Sequence, residues 1–247
     1  MDRLIYTAMT GARHAFLQQA GVANNLANVS TIGYRAAEHR FRAVPVQGEG
    51  LPTRVFTVDA SIGDNFEQGP LMTTGRPLDV AVKGAGWIAV EAPDGTEAYT
   101  RAGNLKIDAN GVLQTADGLN VLSEGGPIAV PPDNNIAIGA DGTVSAIPRF
   151  GIPNNVNLLG RIKLVNPPES DLARGNDGLF RTKSGNPLAQ DETVKLSPET
   201  LEGSNVNVVE SMVDLINIAR QFEMHIKMLQ TADANANKAS QIISINS

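Results

Sequence analysis

Three histidines, His14, His39 and His225, are the side chains of this 247-residue sequence best suited to hold a metal or move a proton near neutral pH. They lie far apart, and none belongs to an HExxH pair or another close ligand spacing, so a zinc centre is not indicated. Two of them fall on helical segments, where an imidazole serves as a surface or interface hydrogen-bonding group. The run Lys83-Gly84-Ala85-Gly86-Trp87 offers a GxG without the third glycine or a following helix, which suits a tight strand connection and not a dinucleotide cradle. Asp108, Asn110 and Gly111 share the start of a calcium loop, but the spacing and the closing glutamate are missing, and a hairpin turn accounts for all three. The remaining aspartates fall largely in Asp-Gly turns, so no paired acid and base can be assigned. There is no cysteine, which removes disulfides, thiolate metal sites and CxxC redox chemistry. The sequon Asn28-Val29-Ser30 sits inside a helical segment and reads as structural. No catalytic residue, cofactor or metal site is expected.

Charge and composition narrow the class further. A net charge of -6 with no clustered Lys or Arg argues against a nucleic-acid surface. Hydrophobic residues make up 42% and aromatics 4%, while Gly and Pro are frequent, a mix that favours turns and short strands. The opening MDRLIYTAMTGARHAF lacks a basic region followed by an unbroken apolar run, so a conventional signal peptide is not expected, and nothing resembles a membrane span.

The elements follow from periodicity. About residues 3 to 31 show helical spacing, with Ile5, Met9, Ala12, Phe16, Gln19, Ala23 and Leu26 forming one seam. Asn25, Asn28 and Ser30 weaken that helix and Gly33 can take the left-handed conformation that ends one, so the stop is expected near Thr31. Asn24 and Asn28 also carry amides able to bridge between helices. Residues 36–77 lose periodicity and read as an extended connector with short strands. Residues 78–198 alternate β-prone runs with Asp-Gly and Asn-Gly turns, in GWIAVEAPDGTEAYTR, NLKIDANGVLQTADGLNVL and IAIGADGTVSAI, the signature of hairpins. Without helical crossovers the sheet is expected to be mainly antiparallel. Residues 199–247 lead into one long helix whose seam runs Val208, Met212, Leu215, Ala219, Phe222, Ile226, Leu229, Asp233, Ala236, Ser240 and Ile243. The predicted class is α+β: an antiparallel β-rich central domain (78–198) flanked by an N-terminal helix (1–35) and a C-terminal helix (199–247) that pair as a coiled-coil layer.

Such a chain has a surplus of apolar helix surface. A two-helix hairpin would leave Val209, Val213, Ile216 and Ile218 uncovered unless further copies pack against it. Small residues at Ala8, Gly11, Ala12, Ala15, Ala219, Ala232 and Ala236 allow helices to approach closely. Self-association is the simplest remedy. The competing class is a β-rich hydrolase or carbohydrate-binding module with helical termini, which would be monomeric or a small oligomer.

The segment ANNLANVSTIGYR resembles the N-terminal signature of the bacterial flagellar rod and hook protein family, and LEGSNVNVVESMVDLINIARQFEMHIKMLQTAD its C-terminal one. Between them, GRPLDVAVKGAGWIAVEAPDGTEAYTRAGNLKIDANGVLQTADGLNVL is similar to the block after the connector in rod members. The match puts Asn24, Asn25, Leu26, Ala27, Asn28, Gly33 and Tyr34 in the first signature and Ser204, Asn205, Val206, Arg220, Phe222 and Glu223 in the second. The connector and LEGSNVNVVESM resemble the proximal rod members most, with distal rod or other axial members the alternative. The resemblance implies a non-enzymatic axial protein of the flagellar basal body, exported by the flagellar type III apparatus without a cleaved signal peptide. It implies addition to a helical tube of its own copies and other rod proteins in the periplasm, where the rod passes motor torque to the hook. The implied assembly residues are Ile5, Met9, Ala12, Phe16, Asn24, Leu26, Asn28, Val208, Met212, Leu215, Ala219, Phe222, Ile226 and Leu229.

Overall fold

A computed structural model describes residues 2–45, 55–148 and 156–245. The chain separates into two units: one formed by Met1–Val29, Ala36–Asn65 and Val206–Ser247, the other by Ser30–Arg35 and Phe66–Asn205.

The first unit holds helix α1 (Asp2–Ala27), helix α2 (Val208–Ile245) and an antiparallel hairpin of β1 (Ala37–Pro45) and β2 (Val55–Asp64). At about 1.5 Å per residue the 38 residues of α2 extend about 57 Å, against about 39 Å for the 26 of α1. Helix α1 packs on α2 and on both strands of the hairpin. It ends at Ala27, earlier than the expected stop near Thr31, because the asparagines redirect its last bonds. The Asn28 backbone N–H is shared between the carbonyls of Asn24 and Asn25 at 3.2 and 3.1 Å, and the Asn28 side-chain amide donates to the Asn24 carbonyl at 2.9 Å. At the start of α2, Asn207 caps the first turn, its Oδ1 accepting from the backbone N–H of Val209 at 3.1 Å and of Glu210 at 3.3 Å.

The second unit is built from antiparallel strands, as the lack of helical crossovers requires. Its largest sheet has nine strands, running in order from Leu172–Arg174 through Phe180–Thr182, Glu97–Thr100, Trp87–Glu91, Asn120–Ser123 and Leu113–Thr115 to Leu105–Ile107, with Gly126–Pro127 and Leu164–Val165 paired beside this path. A three-stranded sheet joins Asn134–Ile138, Thr143–Pro148 and Asn157–Arg161. Strand β3 (Leu71–Thr73) pairs with Thr200–Glu202, and β4 (Val80–Lys83) with Lys195–Pro198. The turns read from the sequence are present: Gly95, Gly111, Gly118 and Gly142, each the glycine of an Asp-Gly or Asn-Gly pair, all have positive φ. Val80, Val82, Ile88, Val90, Leu105, Leu113, Val121, Val144 and Ile162 are fully buried in the main core. A second cluster stacks Trp87 against Phe180, ring centroids 4.6 Å apart, with Phe66 on both. A short 3-10 turn, Glu169–Asp171, leads into the strand Leu172–Arg174.

Candidate assembly interface

Helices α1 and α2 each present two faces of different character. On α1 the buried positions are Ala8, Ala12, Ala15 and Asn25. On α2 they are Ser211, Ile218 and Ala232, seven and fourteen residues apart, with Leu215, Phe222 and Leu229 half-buried beside them. The side chains turned outward are larger and more apolar: Tyr6, Met9 and Phe16 on α1, and Val209, Met212, Val213, Ile216, Met224 and Met228 on α2. Phe16 is 61% exposed and Val209 71%, a heavy hydrocarbon load for open surface.

The seam positions expected from the sequence divide between these faces. Ala12 is buried; Ile5, Leu26, Leu215, Ala219, Phe222, Ile226 and Leu229 are half-buried; Met9, Phe16, Val208 and Met212 are exposed. Asn24 is exposed and Asn28, half-buried, is engaged within its own helix end. Ile218, expected to be uncovered, is 3% exposed because it lies on the row that meets α1. Asn25 is the residue the sequence reading underused. Its side-chain amide forms two 2.9 Å bonds to one backbone residue, Nδ2 donating to the Ala37 carbonyl and Oδ1 accepting from the Ala37 N–H. It thereby acts as one more strand residue for β1. The only hint in the sequence is that Asn25 falls beside the apolar row and not opposite it.

The second unit carries a buried ionic cluster where both signature segments pass. Glu202 has no side-chain exposure; Arg35 Nη2 donates to its Oε1 at 2.6 Å and Arg101 Nη1 to its Oε2 at 2.9 Å. The Gly69 N–H adds a third bond to Oε1 at 3.0 Å, and the Gly33 N–H donates to the Glu202 carbonyl at 2.8 Å. Burial pulls the Arg101 pKa down and the Glu202 carboxylate opposes that shift. Arg101 also lies over the Trp87 ring at 5.3 Å, and Arg174 over Tyr34 at 5.2 Å while donating to the Arg35 carbonyl. Gly33 has φ +69°, and a Cβ there would come within 2.3 Å of the Arg101 backbone, so the Gly-Tyr-Arg of the first signature is fixed by packing. Asn205 donates its N–H to the Tyr34 carbonyl at 3.3 Å, which brings the two signature segments side by side. Their joint packing was not legible, since nothing local in LEGSN or STIGYR reports a partner so distant in sequence.

Among the described residues no group of three or more His, Asp or Glu side chains is placed to hold a metal ion, and no helix is long and apolar enough to cross a membrane. A hollow of about 410 Å³ is lined by the Asp108–Gly111 turn and Val130–Asn134. Asp108 is held below the usual carboxylate range by the Val112 N–H and serves its own turn.

Comparison with known families agrees with these segments. Residues 5–35 match the model described as "Flagella basal body rod protein", residues 81–146 the "Flagellar hook protein FlgE/F/G D1 domain", and residues 197–242 the "Flagellar basal body rod FlgEFG protein C-terminal". The chain is 45% identical over 252 residues to the flagellar basal-body rod protein FlgF of Escherichia coli strain K12, and 44% identical over 252 residues to FlgF of Salmonella typhimurium, covering 100% of each chain in both cases. It is also 35% identical over 263 residues to the flagellar basal-body rod protein FlgG of Agrobacterium fabrum, with 97% of this chain and 98% of the relative covered. The chain belongs to the flagellar basal-body rod protein family, whose members are structural proteins and not enzymes.

Proposed function

We propose that the chain polymerises, with other copies and other rod proteins, into the proximal part of a helical rod that carries motor torque to the hook. The observation that carries this reading is the outward apolar row on α1 and α2, which its own chain leaves uncovered. In the assembled rod the two helices pair as the coiled-coil inner layer of a tube, residues 1–35 and 199–247, with 36–77 as connector and 78–198 as the β-rich domain. Ile5, Met9, Ala12, Phe16, Asn24, Leu26, Asn28, Val208, Met212, Leu215, Ala219, Phe222, Ile226 and Leu229 are the interface: the half-buried members brace the pair and the exposed ones meet neighbouring copies. The subunit reaches the periplasm through the flagellar type III export apparatus without signal-peptide removal.

The experiment is complementation of a strain lacking this protein with Met212→Asp or Phe16→Asp. Both positions are exposed, so each variant is expected to fold and be exported, yet to yield basal bodies that lack a complete rod, because an aspartate in a packed interface is a buried charge without a partner. Normal motility in both variants would refute the reading.

A further inference from the structure

Gly11 lies in the interior of α1, a place where glycine is less favourable than every residue except proline. The structure supplies a reason. A Cβ on Gly11 would stand 2.5 Å from Cε1 of His225 and 2.9 Å from both Nδ1 and Nε2, so the imidazole of α2 occupies the volume a side chain would need. The ring reaches the backbone of α1 through this notch. Its Nδ1 is buried and makes no hydrogen bond among the described residues.

The position of His225 on its helix gives the notch a consequence. Ser211, Ile218, His225 and Ala232 form one row on α2, and His225 is its only ring. The facing residues of α1, Ala8, Ala12 and Ala15, each carry a Cβ. Gly11 precedes the end of α1 by about as many residues as His225 follows the start of α2, and the segments joining those helix ends meet at the Tyr34–Asn205 hydrogen bond, so the helices run antiparallel. Because the face of α1 offers little beyond alanine methyl groups, several axial offsets on α2 would otherwise be open to it. Sliding the pair by one turn sets the ring against an alanine Cβ and leaves the notch at Gly11 empty.

We infer that His225 and Gly11 form a register key: the imidazole in the glycine notch selects one axial offset of α1 on α2, and so fixes which outward apolar side chains stand together for the next copy. The outward side chains whose alignment depends on that register include Tyr6 and Met9 on α1 and Met224 and Met228 on α2, all exposed. The inference rests on the assembly reading above. His225 is thus a positioning residue, acting on neighbouring subunits through the helix pair.

The test compares full-length parent, Gly11→Ala, His225→Ala and the double variant, with two readouts. Amide exchange of the monomer across residues 5–15 and 218–232 reports the helix pair, while the fluorescence of Trp87, buried in the other unit, confirms that each variant is folded. Rods per cell in a complemented deletion strain report assembly. Expected is a tenfold or greater rise in exchange for Gly11→Ala, a smaller rise for His225→Ala, and recovery in the double variant to the level of His225→Ala, with rod counts following the same order. If the double variant exchanges as fast as Gly11→Ala, or if Gly11→Ala exchanges like the parent, the key is wrong. Recovery in monomer exchange with all four proteins building equal rods would overturn its part in assembly while leaving the assembly reading, which Met212→Asp and Phe16→Asp test separately, untouched.

Discussion

Glu202 answers two guanidinium groups from inside the second unit, so its loss cannot be absorbed by solvent. Glu202→Gln leaves Arg35 and Arg101 buried without a counter-charge, and the expected loss is about 3–5 kcal/mol, seen as a lower denaturant midpoint by Trp87 fluorescence. An unchanged midpoint would mean that the cluster is not what holds both signature segments. Asn25→Ala strips the two bonds from Ala37 and is expected to cost about 1–2 kcal/mol, with faster amide exchange at Ala37 as its local mark. Five turn aspartates contribute to the response to acid. Thr96, Thr143 and Thr193 hydroxyls hold Asp94, Asp141 and Asp191 below the usual carboxylate range, the Val112 N–H does the same for Asp108, and Arg181 for Asp177. Because these folded-state values lie below the unfolded ones, their contribution is complete above an unfolded pKa of about 3.9 and is lost as pH falls through the folded values. Midpoints measured from pH 7 downward should therefore drop below about pH 4, and Asp141→Asn should shallow that drop.

The elements were readable to different depths. Hairpins were legible because each Asp-Gly or Asn-Gly turn advertises itself locally, and Gly95, Gly111, Gly118 and Gly142 all adopt the positive φ that such turns need. Both helices were legible from periodicity. Which face of each meets the other was only half legible: Leu215, Phe222 and Leu229 are shared by the expected row and the row against α1, but the other half of that row is Ser211, Ile218, His225 and Ala232. Hydropathy favours Met212 and Ile226 over Ser211 and His225, while contact with an alanine-lined partner favours small or flat side chains, and packing decides. For α1 the large residues Tyr6, Met9 and Phe16 mark the outward face, and the inward face is written in Ala and Gly. It follows that Ile216→Asp, at a side chain 54% exposed, should change monomer stability by no more than about 0.5 kcal/mol and still abolish rods in complemented cells. A melting shift without an assembly defect would reverse that assignment.

The whole chain divides its labour between a unit with a conventional apolar core and a unit of helices whose contact row is thin. The core of the second unit draws on nine strands of one sheet and their neighbours, whereas among the described residues the buried apolar side chains of the two helices are Ala8, Ala12, Ala15, Ile218 and Ala232. Alanines bury little area, so the helix pair gains little at about 25 cal/mol per Å² until further apolar surface covers its outer face. In the proposed assembly, neighbouring copies would supply that surface. The absence of native cysteine allows the most direct test, with single cysteines at Phe16, Met212 or Ile216 and a bulky maleimide as probe. In the free subunit each cysteine should label quickly, and in intact basal bodies each should be protected at least about tenfold, while a cysteine at exposed Thr193 labels only slightly more slowly. Equal labelling of the three helix positions in free subunit and basal body would show that the outward apolar row is not the assembly surface.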